Sequence, residues 1–363
     1  MQVELAGAYE HLGHIQGRPV TSNLGKSDEA LVTYRKALLI RTTMAAKAPD
    51  NVAVQGALAT CLQRMGATHR SMGDRKKTLE LEESAMAIRE NILKLDPSNI
   101  KLKRDPATNC TTISLVFNQV GFKEKVMNAR ERAWQLSIEI AAAYPVDLSD
   151  QANLQAALGR LAGIQLVNGK PTEALRNFRE VGKRDEGLLG KTPRNPQRKL
   201  NLAASYHGLA GTFEHVHEFN ESREFYRNAL EIRKELLAED PKDFQRSSLL
   251  GATYFRLGRV DVMAGRPDDA RQKLLHAFDI RTNLMKSAGT HAGAVGEMAE
   301  VCMARGQLEA KTDAKKVLDW YNKAEALFAG LEVKGSLVSA NQELRAQMHS
   351  EMKDASAAAA ARR

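Results

Sequence analysis

Residues 206–241 read YHGLAGTFEHVHEFNESREFYRNALEIRKELLAEDP: one helical run, a turn around His217, a second helical run and a closing proline. In the second run Phe225, Tyr226, Ala229, Leu230, Ile232 and Leu236 recur mostly at i, i+3, i+4 and i+7 spacing, the period of an amphipathic helix. Leu250, Tyr254, Leu257, Gly258 and Val262 repeat the pattern in the next stretch. Pro241 closes a series with Pro49, Pro97, Pro145 and Pro193, each 48 residues after the one before, in a chain that has only ten prolines among 363 residues. A second series runs in phase with it: Gly25, Gly73, Gly121, Gly169, then His217 in place of glycine, then Gly265. A fixed period of this size marks a repeat array, in which each unit touches only its neighbours.

The punctuation has a physical cause. Glycine tolerates the left-handed backbone just past a helix end, and proline cannot continue a helix and restrains the residue before it. Each unit therefore reads as helix A, a glycine turn, helix B and a proline turn. Lys170-Pro171-Thr172-Glu173 and Arg266-Pro267-Asp268-Asp269 open helix B with acidic residues, where the helix dipole favours them. Within helix A, Leu62, Cys110, Leu158, Tyr206, Tyr254 and Cys302 form one periodic series, and the small residues Gly66, Ser114, Ala162, Ala210, Gly258 and Gly306 form another. In helix B, Ala37, Ala85, Ala133, Ala229 and Ala277 recur, with Val181 as the exception. Small residues at fixed points let neighbouring helices approach closely.

Composition narrows the function classes. Hydrophobic residues make up 43% of the chain and charged residues 27%, enough to bury a core. The net charge of +9 comes from 53 basic and 44 acidic residues spread in mixed sign, with no dense basic block, which disfavours nucleic-acid binding. Cys61, Cys110 and Cys302 are odd in number and lack CxxC spacing, so they imply no disulfide framework and fit a reducing, cytoplasmic compartment. Cys110 and Cys302 read as small core residues. No run approaches the 18 apolar residues of a membrane span, and the first residues lack a signal-peptide pattern.

The periodic positions carry a resemblance to the tetratricopeptide repeat family, whose pattern is W-x2-L-G-x2-Y, A-x3-F and a later proline. Tyr206, Leu209, Ala210, Phe213, Ser222 and Tyr226 follow it in one unit, and Tyr254, Leu257, Gly258, Ala270 and Leu274 in the next. Tyr9, Leu12, Gly13, Ala30 and Tyr34, and also Leu158, Leu161, Ala162, Ala174 and Phe178, follow it in two others. The resemblance implies an all-α fold, an α-solenoid of tandem helix–turn–helix units wound as a right-handed superhelix. Seven units are expected at 3–49, 50–97, 98–145, 146–193, 194–241, 242–289 and 290–332, then a capping helix at 336–352 and a disordered alanine-rich tail at 353–363. The departures are a longer unit than the family's, a short insertion near 17–23, and Glu82 and Arg130 at the aromatic position of helix B.

Leu5 to Gly13, Gln16-Gly17, Asn23-Leu24-Gly25 and Tyr34 to Leu38 are similar to the repeat region that follows the catalytic domain of bacterial serine/threonine protein kinases. The chain itself has no Gly-rich loop, HRD or DFG, no P-loop, no HExxH and no G-x-S-x-G, so an enzyme is the least favoured class. The likeness implies a kinase domain upstream, and the lack of a polar cap before the first helix also leads us to expect a preceding segment. No cofactor or metal is expected: His215 and His217 lack a third ligand, and His11 and His14 read as surface residues. Trp134 and Trp320 read as inter-repeat fillers.

What remains is the face of the A helices, where the family binds extended peptides or helices. The pattern places Gln63 and Arg70, Thr111, Asn118 and Gln119, His207 and Glu214, and Phe255 and Arg259 there. The Lys/Asn carboxylate clamp of chaperone-binding members is absent: its positions hold Gln63 and Ala67, Thr111 and Leu115, His207 and Gly211. The reading is a scaffold or sensor module for a protein or peptide partner in bacterial signalling, with self-association through a terminal repeat as a further expectation. The alternatives are a stand-alone adaptor and, less favoured, a basic solenoid on nucleic acid.

Overall fold

The computed structural model describes residues 2–17, 24–119, 121–288, 292–310, 313–333 and 339–361. The insertion expected near 17–23 lies almost wholly outside them. Among the described residues the chain is helical throughout, with no strand. It divides into two compact units, Met1–Asn177 and Phe178–Arg363.

The first unit holds α1 (Gln2–Gly17), α2 (Ser27–Lys47), α3 (Val52–Ser71), α4 (Arg75–Leu95), a 3-10 turn (Ile100–Lys103), α5 (Arg104–Gln119), α6 (Lys123–Ala143), α7 (Leu148–Val167) and the start of α8 (Pro171–Lys191). The second holds the rest of α8, then α9 (Pro196–His215), α10 (Phe219–Glu239), α11 (Phe244–Met263), α12 (Pro267–Ala288), α13 (Ala292–Glu309), α14 (Ala314–Val333) and α15 (Ser339–Ala361). From α1 to α7, and again from α9 to α15, each helix packs on the next. The last helix continues to Ala361, past the end expected at 352. The segment read as a disordered tail is helical as far as that residue, as the high helix propensity of alanine allows.

Both kinds of turn recur with the same hydrogen bonds. At the prolines, Asn51 N donates to Ala48 O, Asn99 N to Asp96 O, Asp147 N to Tyr144 O, Asn195 N to Thr192 O and Asp243 N to Asp240 O, all at 3.0–3.3 Å. Each is a four-residue turn with proline at its second position, where a fixed φ helps. The residue that ends the turn is Asn or Asp. At Asn51, Asp147, Asn195 and Asp243 its side chain accepts a backbone N–H from the first turn of the following helix, an N-cap. At the glycines the backbone is left-handed, with φ between 70° and 81°, and His217 adopts the same conformation at φ 63°. Glu218 N donates to Phe213 O at 2.9 Å, as Arg266 N does to Asp261 O at 2.8 Å: the Schellman pattern that satisfies the last carbonyls of a helix.

The small-residue series is a set of close approaches. A Cβ on Gly306 would stand 2.3 Å from the Tyr321 ring, one on Gly258 2.8 Å from Leu274, and one on Gly13 2.8 Å from Tyr34. The helix-B alanines and Val181 are all buried. So are the three free cysteines, Cys61, Cys110 and Cys302, whose thiols burial pushes up to about 12, 12 and 11. His14 corrects the surface reading: it is half-buried, with its ring 5.9 Å from that of Tyr34.

One periodic feature of the core is polar. Arg41, Arg89, Ser137, Asp185, Arg233 and Arg281 occupy the same place in successive B helices, and all are buried. Arg41 Nε donates to Glu10 at 2.9 Å, and Arg89 Nη2 donates to Gln63 at 2.9 Å. The Ser205 hydroxyl donates to Asp185 at 2.5 Å, and Arg281 Nη1 lies 2.5 Å from Glu297. Buried polar groups need partners, and here the partners come from neighbouring A helices. The Arg41 and Arg89 bonds tie together the two helices of one hairpin, whereas those of Asp185 and Arg281 reach the A helix of the next and fix adjacent hairpins in register.

Candidate functional site

In the second unit, A-helix residues of α9 and α11 meet the aromatic face of α10. Glu214, near the end of α9 and only 9% exposed, is the hub. It accepts the Tyr226 hydroxyl at 3.0 Å and Arg259 Nη2 at 2.8 Å, and Arg256 Nη1 lies 3.9 Å away. One carboxylate thus holds two guanidiniums spaced i, i+3 on α11, both 5.9 Å from the Phe255 ring. The Arg256 and Arg259 side chains remain 41% and 38% exposed. A guanidinium carries five donors in a planar fork, so donors are left over for an outside acceptor.

Beside this hub, His207 stacks edge-on against Tyr226 at 5.0 Å, and its Nδ1 lies 3.2 Å from Arg233 Nη1. Arg233 also donates to the Leu249 carbonyl at 3.1 Å and to the Thr253 hydroxyl. Burial, with Arg233 and then Arg256 nearby, drives the His207 imidazole down to about 3, so it is neutral at physiological pH. A neutral ring facing a guanidinium accepts at Nδ1 and keeps its proton on Nε2. Burial also pulls Arg233 down to about 10, still protonated at neutral pH. The cluster is therefore cationic: Arg233, Arg256 and Arg259 against the single carboxylate of Glu214.

The first unit holds a separate recess of about 350 Å³ between α5, α6 and α7, lined among others by Arg104, Thr108, Thr111, Asn153 and Arg160. Arg104 pairs with Asp150 and lies 4.9 Å above the Tyr144 ring. Arg160 forms no ion pair among the described residues.

The residues singled out from sequence thus fall into two groups. His207, Glu214, Phe255 and Arg259 come together in the second unit. Phe255 is core: 6% exposed, it packs with Leu274, Ala277, Val301 and Ala304, and only its edge serves the arginines. In the first unit Thr111 lines the recess, its hydroxyl bonded back to Ala107 O at 3.1 Å. Gln63 is occupied by Arg89, Arg70 faces buried Glu82, and Asn118 is exposed at the end of α5. The Gln119 side chain lies outside those described. Sequence reasoning missed Arg256, Tyr226, Arg233, Arg104 and Arg160. For Arg233 a signal existed, the buried polar series of the B helices.

The tetratricopeptide repeat family model matches residues 201–283, and a second model of that family matches 58–98. These segments lie on the hairpins whose turns and close approaches are described above. Residues 58–98 and 201–283 are tetratricopeptide repeats. No curated relative matches this repeat protein. Among solved structures its fold resembles apo RapI at 13% identity, covering 98% of this chain and 84% of that one, with a TM-score of 0.59. BtubC (BKLC) from P. vanneervenii aligns at 19% identity over 72% of this chain and 92% of that one, with a TM-score of 0.53. A Rap protein complexed with Competence and Sporulation Factor aligns at 11% identity over 100% and 99%, with a TM-score of 0.51. The tetratricopeptide architecture is that of a protein-interaction scaffold, and among the described residues no helix is long and apolar enough to cross a membrane.

Proposed function

We propose that the A-helix face of this chain holds an extended, acidic peptide segment of a protein partner. The observation that carries this reading is the pair Arg256 and Arg259, anchored from below by Glu214 and Phe255 while their outer donors face solvent. Pre-anchored guanidiniums lose little side-chain freedom on binding a carboxylate. The recess of the first unit, where Asp150 pairs with Arg104 and Arg160 is left over, offers a second subsite for an acidic group. The test is fluorescence anisotropy with a labelled ten-residue peptide alternating Glu with small residues. Arg256→Ala/Arg259→Ala is expected to weaken binding about tenfold or more, as for the loss of two charge-assisted contacts. Unchanged affinity in this variant sinks the assignment. Tighter binding of a DNA duplex than of the peptide, with a steep fall in salt, moves the chain to the nucleic-acid class.

The finer setting is bacterial signalling in the cytoplasm, as the regulatory region of a serine/threonine kinase. The likeness of Leu5–Gly13 and Tyr34–Leu38 to kinase-associated repeats supports it, and the three buried thiols suit a reducing compartment. Reading the genomic frame upstream of Met1 tests it. An open frame encoding a Gly-rich loop, HRD and DFG supports the kinase setting, whereas a nearby in-frame stop makes the chain a stand-alone adaptor.

A further inference from the structure

The helix-A series Tyr206, Tyr254 and Cys302 occupies one place in three successive hairpins of the second unit. In the first two hairpins an aromatic ring fills the cleft between consecutive B helices. Tyr206 reaches Glu186 of α8 through its hydroxyl at 2.8 Å and lies 5.8 Å from Phe225 of α10. Tyr254 packs against the α10 cluster and lies 4.9 Å from His276 of α12. In the third hairpin the residue is cysteine, and the ring is missing. The neighbours have not closed the gap: a cavity of about 500 Å³ opens between α12 and α14, floored by Met298 and Cys302 and walled by Phe278, Met285 and Leu327. That size lies within the usual range for a ligand pocket.

The charged residues of its lining are Lys286 and Lys323, both exposed, and neither forms an ion pair among the described residues. Lys323 Nζ stands 4.1 Å over the Trp320 ring, whose other contacts are Arg305 at 4.2 Å and Phe278 at 5.4 Å. The rim is therefore cationic around an apolar, methionine-lined floor. Methionine surfaces adapt to rings of different shape, and an unpaired lysine on each wall selects for negative charge beside the ring.

We propose that this cleft is a second binding site, which takes an aromatic side chain of a protein partner flanked by acidic residues. The partner's ring restores the one that the repeat lacks at Cys302. The site is separate from the arginine pair, which stands on α11 against Glu214 of α9 whereas the cleft is lined by α12, α13 and α14, and it does not depend on that reading.

The test is selection of a random twelve-residue peptide library on the full chain, followed by affinity measurement of the enriched peptides on variants. The expected peptides carry one Trp, Phe or Tyr with Asp or Glu within three positions. Cys302→Tyr, which installs the residue of the sister repeats, should weaken them about tenfold or more. Cys302→Ala should keep them, and Lys286→Glu/Lys323→Glu, confined to exposed positions, should weaken them by a similar factor without affecting folding. Peptides without acidic residues, peptides insensitive to Cys302→Tyr and the double charge reversal, or no enrichment at all would overturn the proposal. So would peptides lost only on Arg256→Ala/Arg259→Ala. A concentration-dependent dimer abolished by Cys302→Tyr would overturn it in favour of a second copy as the occupant.

Discussion

Glu82 occupies the helix-B position that elsewhere holds Tyr34, Phe178, Tyr226 or Leu274, and it is completely buried. Its Oε2 accepts the Asn109 amide at 2.7 Å, and Oε1 has no partner. Desolvation outweighs the attraction of Arg70 and Arg89 and the Asn109 bond, and lifts the carboxyl from 4.5 to about 7. An acid whose folded pKa is raised holds its proton more tightly in the folded state. Stability is then greatest below about pH 4.5, falls as pH rises towards 7, and stays low above it. At 1.36 kcal/mol for each pH unit between the two values, the loss is about 3 kcal/mol at pH 8.

Glu82→Gln removes the titration while keeping the shape and the acceptor for Asn109. The assay is urea unfolding from pH 5 to pH 8, read by Trp134 in a Trp320→Phe background so that the signal comes from the first unit. The stability of Glu82→Gln relative to the parent should rise by about 2 kcal/mol across that range, since other titrating groups cancel in the comparison. A difference that is flat, or that grows in favour of glutamate, would refute the reasoning. It would show that Arg70 and Arg89 hold the carboxylate ionised.

Two further predictions rest on backbone and packing geometry. His217→Gly should stabilise the second unit by about 0.5–1 kcal/mol in thermal or urea unfolding, because a non-glycine residue is costly in the left-handed region; Gly265→His, with no neighbour within 4 Å to clash, should cost about 1 kcal/mol. Gly306→Ala should cost about 2–3 kcal/mol, because the Tyr321 ring it would strike is buried and tied through its hydroxyl to Glu351 of α15; Gly330→Ala, with open space around it, should be neutral or stabilising by up to about 1 kcal/mol.

The fold was legible because it is written in local punctuation. A left-handed turn demands glycine, a proline turn demands proline, and both demands recur with the repeat, so single residues announce hairpin ends. The Asn or Asp two residues after each proline belongs to the same code. It went unread because each N-cap side chain serves only its own helix and looks like ordinary turn polarity in isolation. Contacts between hairpins were less legible. A repeat position says which residue faces a neighbour but not what the neighbour offers. Arg89 meets Gln63, whereas Arg233 meets His207 and Thr253 from the same register. Phe255 shows the same gap on the functional side: its register pointed to the groove, yet its ring turns inward to the α12–α13 core.

Cys302 shows where register reasoning stops. Sharing a repeat position with Leu62 and Leu158, it was read as a small core residue, and it is core at 1% exposure. The consequence for the cleft depends on whether Phe278, Met298 and Leu327 collapse into the space that a tyrosine fills elsewhere, and side-chain identity alone does not decide that. At the equivalent place in the first unit, Cys110 is also buried, with Met86 Sδ 3.9 Å from its Sγ. In the first unit the series holds Leu62 and Leu158, so the cysteine there stands in for a leucine rather than a ring. Where a long, flexible methionine closes on the cysteine, the thiol is simply packed. Where the flanking helices carry a ring and two outward lysines, a cationic, apolar-floored cleft remains. Losing the ring makes a site possible, and the lysines at its mouth set the chemistry of what can fill it.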